Sequence, residues 1–234
     1  MNPLPAFRDR VDAGRQLAAR LSSYVGRANL LVLALPRGGV PVGYEVALAL
    51  NAPLDVMIVR KLGVPGQPEL AMGAIASGGV RVVNEAVVRT LGIPVEVLDR
   101  VAAEEKRELQ RRERLYRGDR PLPRIEGRTV LLVDDGIATG ATMRAAIRAL
   151  RAQRPARIVV AVPTAAASTC AELRGEVDEL VCLTSPEPFV AIGLHYAGFP
   201  QLSDDTVREI LQRTTLSASD RCGRLSVRVG HAAR

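Results

Sequence analysis

The chain has 234 residues, of which 47% are hydrophobic but only 3% aromatic, and its net charge is +7. This length suits one α/β domain or at most two small ones, and aliphatic strands and alanine-rich helices must supply most of the core. The three cysteines have no paired spacing, and no apolar stretch is long enough for a bilayer, so neither a disulfide framework nor a membrane span is indicated. We therefore expect a cytoplasmic enzyme whose basic charge suits a polyphosphorylated substrate or nucleic acid.

The N-terminal third begins with an amphipathic helix predicted over residues 8–24, followed by a buried strand over residues 29–35. Arg37, Gly38 and Gly39 come directly after that strand. Two glycines behind an arginine can form a tight turn whose amides face an anion, with the guanidinium as a fixed charge. Taken alone, the segment is more typical of an ordinary strand-to-helix turn.

A second strand is predicted over residues 54–59, and Arg60 and Lys61 end it. Residues 62–69 contain two prolines and two glycines, which predicts a loop without regular structure. Residues 72–84 show two apolar runs around Ser-Gly-Gly, the pattern of a hairpin. Basic residues at the end of a strand usually belong to a solvated edge of the sheet. Here, however, Arg60 and Lys61 would lie beside the loop that carries Arg37.

The remaining scaffold alternates between helix and strand patterns. A long charged helix is predicted over residues 94–117, with a solvated or partner-facing surface. Later elements are a helix through Leu150, a strand over 158–162, a helix over 165–174 and a strand over 179–183. This alternation predicts an α/β fold with an open, mainly parallel sheet flanked by helices.

Residues 130–142 carry the strongest functional signal. Four apolar residues predict a buried strand that ends in Asp134 and Asp135, and a loop rich in glycine and threonine leads into a helix. The loop glycines allow the backbone to approach an anion, and a helix N-terminus offers free amides. Carboxylates repel phosphate but accept hydrogen bonds from vicinal hydroxyls. Phosphate at the loop and sugar hydroxyls at the acids together describe a ribose 5-phosphate. A strand and turn with a capping threonine would need neither paired acids nor a second threonine.

Residues 185–202 are predicted to be irregular and hold most of the later aromatic side chains, among them Phe189, Tyr196 and Phe199. These rings could stack on a planar ligand, or they could equally cover a core that has few aromatics elsewhere. We place one domain at residues 1–213 and predict a disordered basic tail over residues 214–234.

The string Val130-Leu-Leu-Val-Asp-Asp-Gly-Ile-Ala-Thr-Gly-Ala-Thr142 closely resembles the phosphoribosyl-diphosphate-binding motif of the type I phosphoribosyltransferases. The resemblance implies that family's fold, with a flexible loop and hairpin over residues 62–84 and a small C-terminal hood over residues 185–202. It also implies a diphosphate-binding loop at Arg37, for which we predict a cis peptide at Arg37–Gly38. The loop departs from the family's pattern because no lysine follows Lys61 in it.

The implied function is transfer of ribose 5-phosphate from phosphoribosyl diphosphate to a small nitrogenous acceptor, with Mg²⁺ held mainly by substrate oxygens and no metal ligands from the protein. The implied catalytic residues are Asp134, Asp135, Arg60 and Lys61. The implied substrate-binding residues are Arg37, Gly38, Gly39, Gly136, Ile137, Ala138, Thr139, Gly140, Ala141, Thr142, Tyr196 and Phe199.

The acceptor and the partners remain open. Ala138 stands where hypoxanthine–guanine members of the family often have an aspartate, which argues against a 6-oxopurine acceptor. An alternative function is a regulator that senses phosphoribosyl diphosphate and binds nucleic acid, but no DNA-binding motif is apparent before the core. A phosphatase or hydrolase of ribose phosphates would need a nucleophile or a metal-ligand cluster, and the sequence shows neither. We therefore do not expect a nucleic-acid partner, and a homodimer is compatible with the sequence.

Overall fold

The computed structural model describes residues 6–214. A five-stranded parallel sheet has the order β2-β1-β6-β7-β8, and a separate antiparallel sheet has the order β3-β4-β5. The strands are β1 Leu30–Ala34, β2 Leu54–Val56, β3 Val59–Val64, β4 Gln67–Ala76, β5 Val80–Val83, β6 Thr129–Val133, β7 Arg157–Thr164 and β8 Glu179–Thr184. The predicted α/β class with a mainly parallel sheet is confirmed.

Helices cover both faces of the parallel sheet. They are α1 Arg10–Arg20, α2 Gly39–Leu50, α3 Glu85–Thr90, α4 Val95–Arg117, α5 Ala141–Ala152, α6 Ala167–Leu173 and α7 over residues 204–214. One apolar core joins α1, α2, α4 and α7 to one face of the sheet, and a second core joins α5 and α6 to the other face. The strands β1 and β6 are buried throughout, because apolar runs in a parallel sheet are covered on both sides.

The register brings the ends of neighbouring strands to one edge. Ala34, the last residue of β1, pairs with Val133, the last residue of β6, and Val133 also pairs with Ala161 of β7. The loops that follow β1 and β6 are therefore adjacent, although about 100 residues separate them in the sequence.

The region after β1 differs from its prediction in two respects. The single strand predicted over residues 54–59 is wrong: the amide of Met57 still donates to Ala34 of β1, but that of Ile58 donates to the Ser77 hydroxyl beside β4. The chain thus changes sheets at this point. The irregular loop predicted over residues 62–69 is also wrong, because β3 and β4 form a hairpin around a tight turn at Pro65 and Gly66. Gly66 adopts a φ of +81°, and a shift of register near Gly63 absorbs the other glycine.

Other bounds agree within a few residues. The helix predicted over residues 94–117 is α4, and the hairpin predicted over residues 72–84 is formed by β4 and β5. The predicted N-terminal helix ends earlier, at Arg20, and a 3-10 turn follows at Ser22–Tyr24. Helix α3 was not predicted; Asn84 caps it by accepting the amide of Val87. Thr214 is helical, and the rest of the predicted tail lies outside the described residues.

Candidate active site at the carboxyl edge of the parallel sheet

The first loop, residues 35–38, lies against the end of β6. The amide of Leu35 donates to Val133, and a Cβ on Gly39 would come within 2.7 Å of the same carbonyl oxygen. The cis peptide predicted at Arg37–Gly38 is instead at Pro36–Arg37. Gly38 already has helical dihedral angles and is the N-cap of α2, so the chain turns one residue earlier than predicted.

Asp134 and Asp135 emerge beside this loop. The Asp135 carboxylate lies so close to Gly38 that a Cβ on that glycine would be 2.0 Å from Oδ2. The amide of Asp135 donates to Oδ1 of Asp134 at 2.9 Å. Burial raises the pKa of both carboxyls, and the charge of Asp135 raises that of Asp134 further. The two acids therefore interact with each other as well as with their surroundings.

Arg10, the first residue of α1, is the partner of Asp135. Its Nε donates to Asp135 Oδ2 at 2.8 Å, and one terminal nitrogen donates to the carbonyl of Pro200 at 2.8 Å. The guanidinium carbon also lies 3.7 Å from the ring centroid of Phe199. Both side chains of the ion pair are about nine-tenths buried. Arg10 could not be recognised from the sequence, because an arginine at the start of an amphipathic helix is usually solvated, whereas this one is buried.

The second loop, residues 136–140, turns its carbonyl groups toward the protein. The hydroxyl of Thr169 donates to the carbonyl of Ala138 at 2.7 Å, and Arg144 donates to the carbonyl of Thr139 at 2.8 Å. In the described part of the chain, the amides of residues 138–143 have no hydrogen-bond acceptor. They lie at the exposed N-terminus of α5, where backbone amides favour an anion.

Gly140 shapes this loop. Its φ is +75°, and a Cβ at this position would lie 2.7 Å from the Thr169 methyl group and 3.0 Å from Arg144. Glu172 and Glu176 form ion pairs with Arg144, so its charge is balanced by α6 and the segment after it. Arg144 therefore holds the loop, and the anion-binding capacity comes from the free amides and from the exposed residues Thr139 and Thr142.

The hood segment, residues 185–202, packs on the second loop. The hydroxyl of Tyr196 donates to the backbone carbonyl of Asp135 at 2.5 Å, and its ring lies between those of Phe7 and Phe199. Tyr196 is only 5% exposed, so in this conformation its ring contacts protein on both sides. Ile192 touches Gly136, where a Cβ would come within 2.6 Å of it.

The three predicted basic residues contact acidic or neutral groups outside the second loop. Arg60 donates to Glu105 of α4 at 2.6 Å, and Lys61 is exposed on β3 opposite Ala74. Both border a cavity of about 640 Å³ between the hairpin tip and α4. Arg37 is exposed in the first loop, 3.9 Å from Asp204.

Asp204 joins the first loop to two helices. It is in α7, near Arg37, and accepts the hydroxyl of Tyr116 from α4 at 2.6 Å. Burial, together with this hydrogen bond, raises the pKa of Tyr116 to about 12, so the phenol remains a donor. Neither Asp204 nor Tyr116 could be recognised from the sequence, because both lie on helices without a motif.

The chain is similar to known proteins. The model of the "Phosphoribosyl transferase domain" family matches residues 67–197, more than half of the chain, including the acid pair, the second loop and most of the hood. The crystal structure of TT1426 from Thermus thermophilus has 43% sequence identity and a TM-score of 0.79, covering 88% of this chain and 97% of that one.

Two curated Mycobacterium tuberculosis proteins, from strains CDC 1551 and H37Rv, are each named "Putative phosphoribosyl transferase". Each is 52% identical over 208 residues, which is 88% of this chain but 46% of the relative, so the chain spans about half the length of these relatives. The chain belongs to the phosphoribosyl transferase domain family, with the type I phosphoribosyltransferase fold. Within residues 6–214, none of the helices has the length and apolar character to cross a bilayer.

Proposed function

We propose that the protein transfers ribose 5-phosphate from phosphoribosyl diphosphate to a nitrogenous acceptor and releases diphosphate. One observation carries the proposal: a row of acceptor-free amides lies next to a carboxylate pair at one edge of the sheet. The amides suit a terminal phosphate, and the acids suit the vicinal hydroxyls of a ribose. Membership of the phosphoribosyl transferase domain family supports the same assignment.

The 5-phosphate binds to the amides of residues 138–142 and to the hydroxyls of Thr139 and Thr142. Asp134 accepts hydrogen bonds from the ribose hydroxyls, since it is the more exposed of the two acids. The diphosphate lies at Arg37 and at the backbone of Gly38, whereas the amide of Gly39 donates to the carbonyl of Leu35. As the bond from C1 to the leaving oxygen breaks, positive charge develops on the sugar, and fixed charges at the leaving group stabilise the separation. The nitrogen of the acceptor then attacks C1 from the opposite face.

Arg60 and Lys61 are proposed to reach the leaving group only when the hairpin of β3 and β4 moves. In the present conformation Arg60 is bound to Glu105, so closure must exchange that carboxylate for diphosphate oxygens. Such an exchange would close the site over the substrate and exclude water.

Mg²⁺ fits this site as an ion that enters with the substrate. Across residues 6–214, no group of three or more His, Cys, Asp and Glu side chains could hold a metal ion. Asp135 is bound to Arg10, so its carboxylate is not available to such an ion. The ion would be held mainly by substrate oxygens and water, and it would neutralise phosphate charge.

The acceptor is proposed to lie between Ala138 and the hood. Ala138 is exposed and offers a methyl group, so it can neither donate nor accept a proton at the acceptor. We propose that backbone groups of the hood and the ring of Phe199 contact the acceptor. Tyr196 would act indirectly, by holding the hood to Asp135.

Release of diphosphate tests the proposal. The wild-type protein, with phosphoribosyl diphosphate and Mg²⁺, is assayed against a panel of purine and pyrimidine bases, ammonia and amides. We expect diphosphate release with at least one acceptor. Binding of phosphoribosyl diphosphate without turnover for any acceptor would favour a sensing role, and absence of binding would contradict both functions.

A variant of the second loop and a matched control test the proposed phosphate site. Thr139→Val and Thr142→Val together remove two hydroxyls from the proposed phosphate site, and hydrogen bonds to charged groups are worth about 1.5–3 kcal/mol each. We expect at least tenfold weaker binding of phosphoribosyl diphosphate. Thr90→Val, on the exposed end of α3, should leave binding unchanged.

A further inference from the structure

The position of Arg10 is unusual for a helix. It occupies the first turn of α1, where the helix dipole disfavours a cation, and it is only 8% exposed. Burying a guanidinium without a partner is strongly unfavourable. The contacts that compensate are all at the candidate active site: the Asp135 carboxylate, the Pro200 carbonyl and the Phe199 ring.

Three groups from different segments surround Asp135. Arg10 donates to Oδ2 of its carboxylate, the backbone of Gly38 lies against the same carboxylate, and Tyr196 donates to its backbone carbonyl. The side chain is therefore about nine-tenths buried and bound to a fixed positive charge. Asp134 is its neighbour and is partly exposed. The two adjacent acids thus have different surroundings, although the sequence presents them as an equivalent pair.

We infer that Arg10 is a positioning residue of the phosphoribosyl diphosphate site, which keeps Asp135 charged and out of reach of the ligand and leaves Asp134 to bind the sugar. The inference rests on the proposed function. The same guanidinium joins the hood to Asp135 through Pro200 and Phe199, so one side chain fixes both the sugar side and the acceptor side of the site.

The charge balance makes this role measurable. Two carboxylates and Arg10 together carry a net charge of −1. Without Arg10 the pair carries −2 beside a polyanionic ligand, unless it takes up a proton. Among the described residues, the charged or titratable groups facing the Asp135 carboxylate are Arg10 from α1, Asp134 from its own loop and Tyr196 from the hood. Burial raises the pKa of Tyr196, so the phenol stays neutral and the carboxyl pair is the group that binds this proton.

The experiment is calorimetry of phosphoribosyl diphosphate binding, in the presence of Mg²⁺, in buffers of different ionisation enthalpy between pH 6.5 and 8.5. For Arg10→Gln we expect more proton uptake on binding than for the wild type, approaching one proton. The affinity of this variant should fall as pH rises, with a slope approaching tenfold per pH unit relative to the wild type. Arg10→Lys keeps the charge and should restore the proton count of the wild type, although its affinity is lower.

Three further variants separate the causes. Arg15→Gln removes an exposed arginine from the same helix, one that pairs with Glu45, and should behave as the wild type. Arg10→Gln combined with Asp135→Asn leaves a single carboxylate and should lose the extra proton. If Arg10→Gln does not fold, Arg10→Met, which is also neutral and keeps most of the aliphatic stem, is used with and without Asp135→Asn, and the extra proton uptake should again be lost in the double variant.

The outcomes are distinct. A uniform loss of affinity with the pH dependence of the wild type would mean that Arg10 only supports the fold, and it would overturn the inference. Extra proton uptake that persists in the double variant would also overturn it, because the proton would then not belong to the acid pair. If the wild-type protein does not bind phosphoribosyl diphosphate, the proposed function itself is wrong.

Discussion

The carboxyl edge of the parallel sheet and the region around α4, which contacts strand β2 and the antiparallel sheet, each contain a buried arginine–aspartate pair, but the two pairs are used differently. At the edge, Arg10 binds Asp135 in a loop that also contacts the hood. Beside α4, Arg117 binds Asp55 of β2 with two hydrogen bonds of 2.9 and 3.0 Å and also donates to the carbonyl of Val56. The second pair fixes the end of a helix to a strand, and the neighbouring carboxylate, Glu113 of α4, is itself bound to Arg117.

The two buried pairs differ in what surrounds them. Arg117 donates to the carbonyl of Val56 in β2 and to Glu113 of its own helix, so these contacts connect two elements of the fold. The Arg10–Asp135 pair instead lies beside Asp134. The pKa of the Asp134 carboxyl is raised by burial and by the charge of Asp135. Keeping such a carboxyl ionised reduces the stability of the folded protein. An arrangement of this kind is expected at a site that a ligand completes.

The largest expected effect compares the two pairs directly. Asp135→Asn and Asp55→Asn each leave a buried guanidinium without its carboxylate, which typically costs about 3–5 kcal/mol. We expect comparable losses in the free energy of unfolding, measured with denaturant. Binding of phosphoribosyl diphosphate should change only in Asp135→Asn. Equal binding in both variants would mean that the edge pair is as structural as the other.

A glycine-to-alanine change in each region gives the next effect. At Gly38 the added Cβ would overlap the Asp135 carboxylate, and we expect a loss of about 2–3 kcal/mol, typical of overpacking. At Gly66 no atom lies within 4 Å of the added Cβ, and only its φ of +81° is unfavourable, at about 1 kcal/mol. Thermal unfolding of both variants checks the order, which would be reversed if the first loop could move away from Asp135.

The carboxyl edge could be predicted largely from the sequence because its parts are defined by local patterns. Apolar runs before Arg37 and before Asp134 identify buried strands, and parallel strands place the loops that follow them at one edge. The spacing of glycine and threonine in the second loop is typical of few structures other than a phosphate-binding loop. The family model matches the segment that contains it.

The partners of these loops could not be predicted in the same way. Arg10 lies 125 residues from Asp135 in sequence, and an arginine in a charged helix carries no sign of burial. The prediction for residues 62–69 failed for a different reason: the glycines and prolines that suggested a loop are accommodated by a turn and a shift of register. Pairing with β4 outweighed the local preference, as tertiary contacts commonly do.

Asp134 should show opposite effects on binding and on stability. Because burial raises its folded pKa above that of the unfolded chain, the folded state holds the proton more tightly, and stability falls as pH rises through the raised pKa. Asp134→Asn removes this loss, so the variant should be more stable than the wild type above that pH. Its affinity for phosphoribosyl diphosphate should fall by about 2 kcal/mol, the value of a hydrogen bond to a charged group.

Denaturant unfolding at several pH values and calorimetry check the two halves of this prediction. Asp99→Asn, whose carboxylate is exposed and paired with Arg81, is the control and should change neither quantity by more than about 0.5 kcal/mol. A stability profile that keeps the slope of the wild type would assign the raised pKa to another group.

The smallest expected effect concerns the hairpin of β3 and β4 as a lid. Residues 62–80 should exchange their amide hydrogens more slowly when phosphoribosyl diphosphate and Mg²⁺ are present, most clearly near the turn at Pro65 and Gly66. If Arg60 moves from Glu105 to the diphosphate, then Glu105→Gln removes its competing partner. Partly exposed ion pairs are worth about 0–1 kcal/mol, so the variant should bind phosphoribosyl diphosphate up to about fivefold more tightly, while Arg60→Gln should bind it more weakly. Equal changes in both variants, with hydrogen exchange unaffected by ligand, would mean that Arg60 serves only to attach the hairpin to α4.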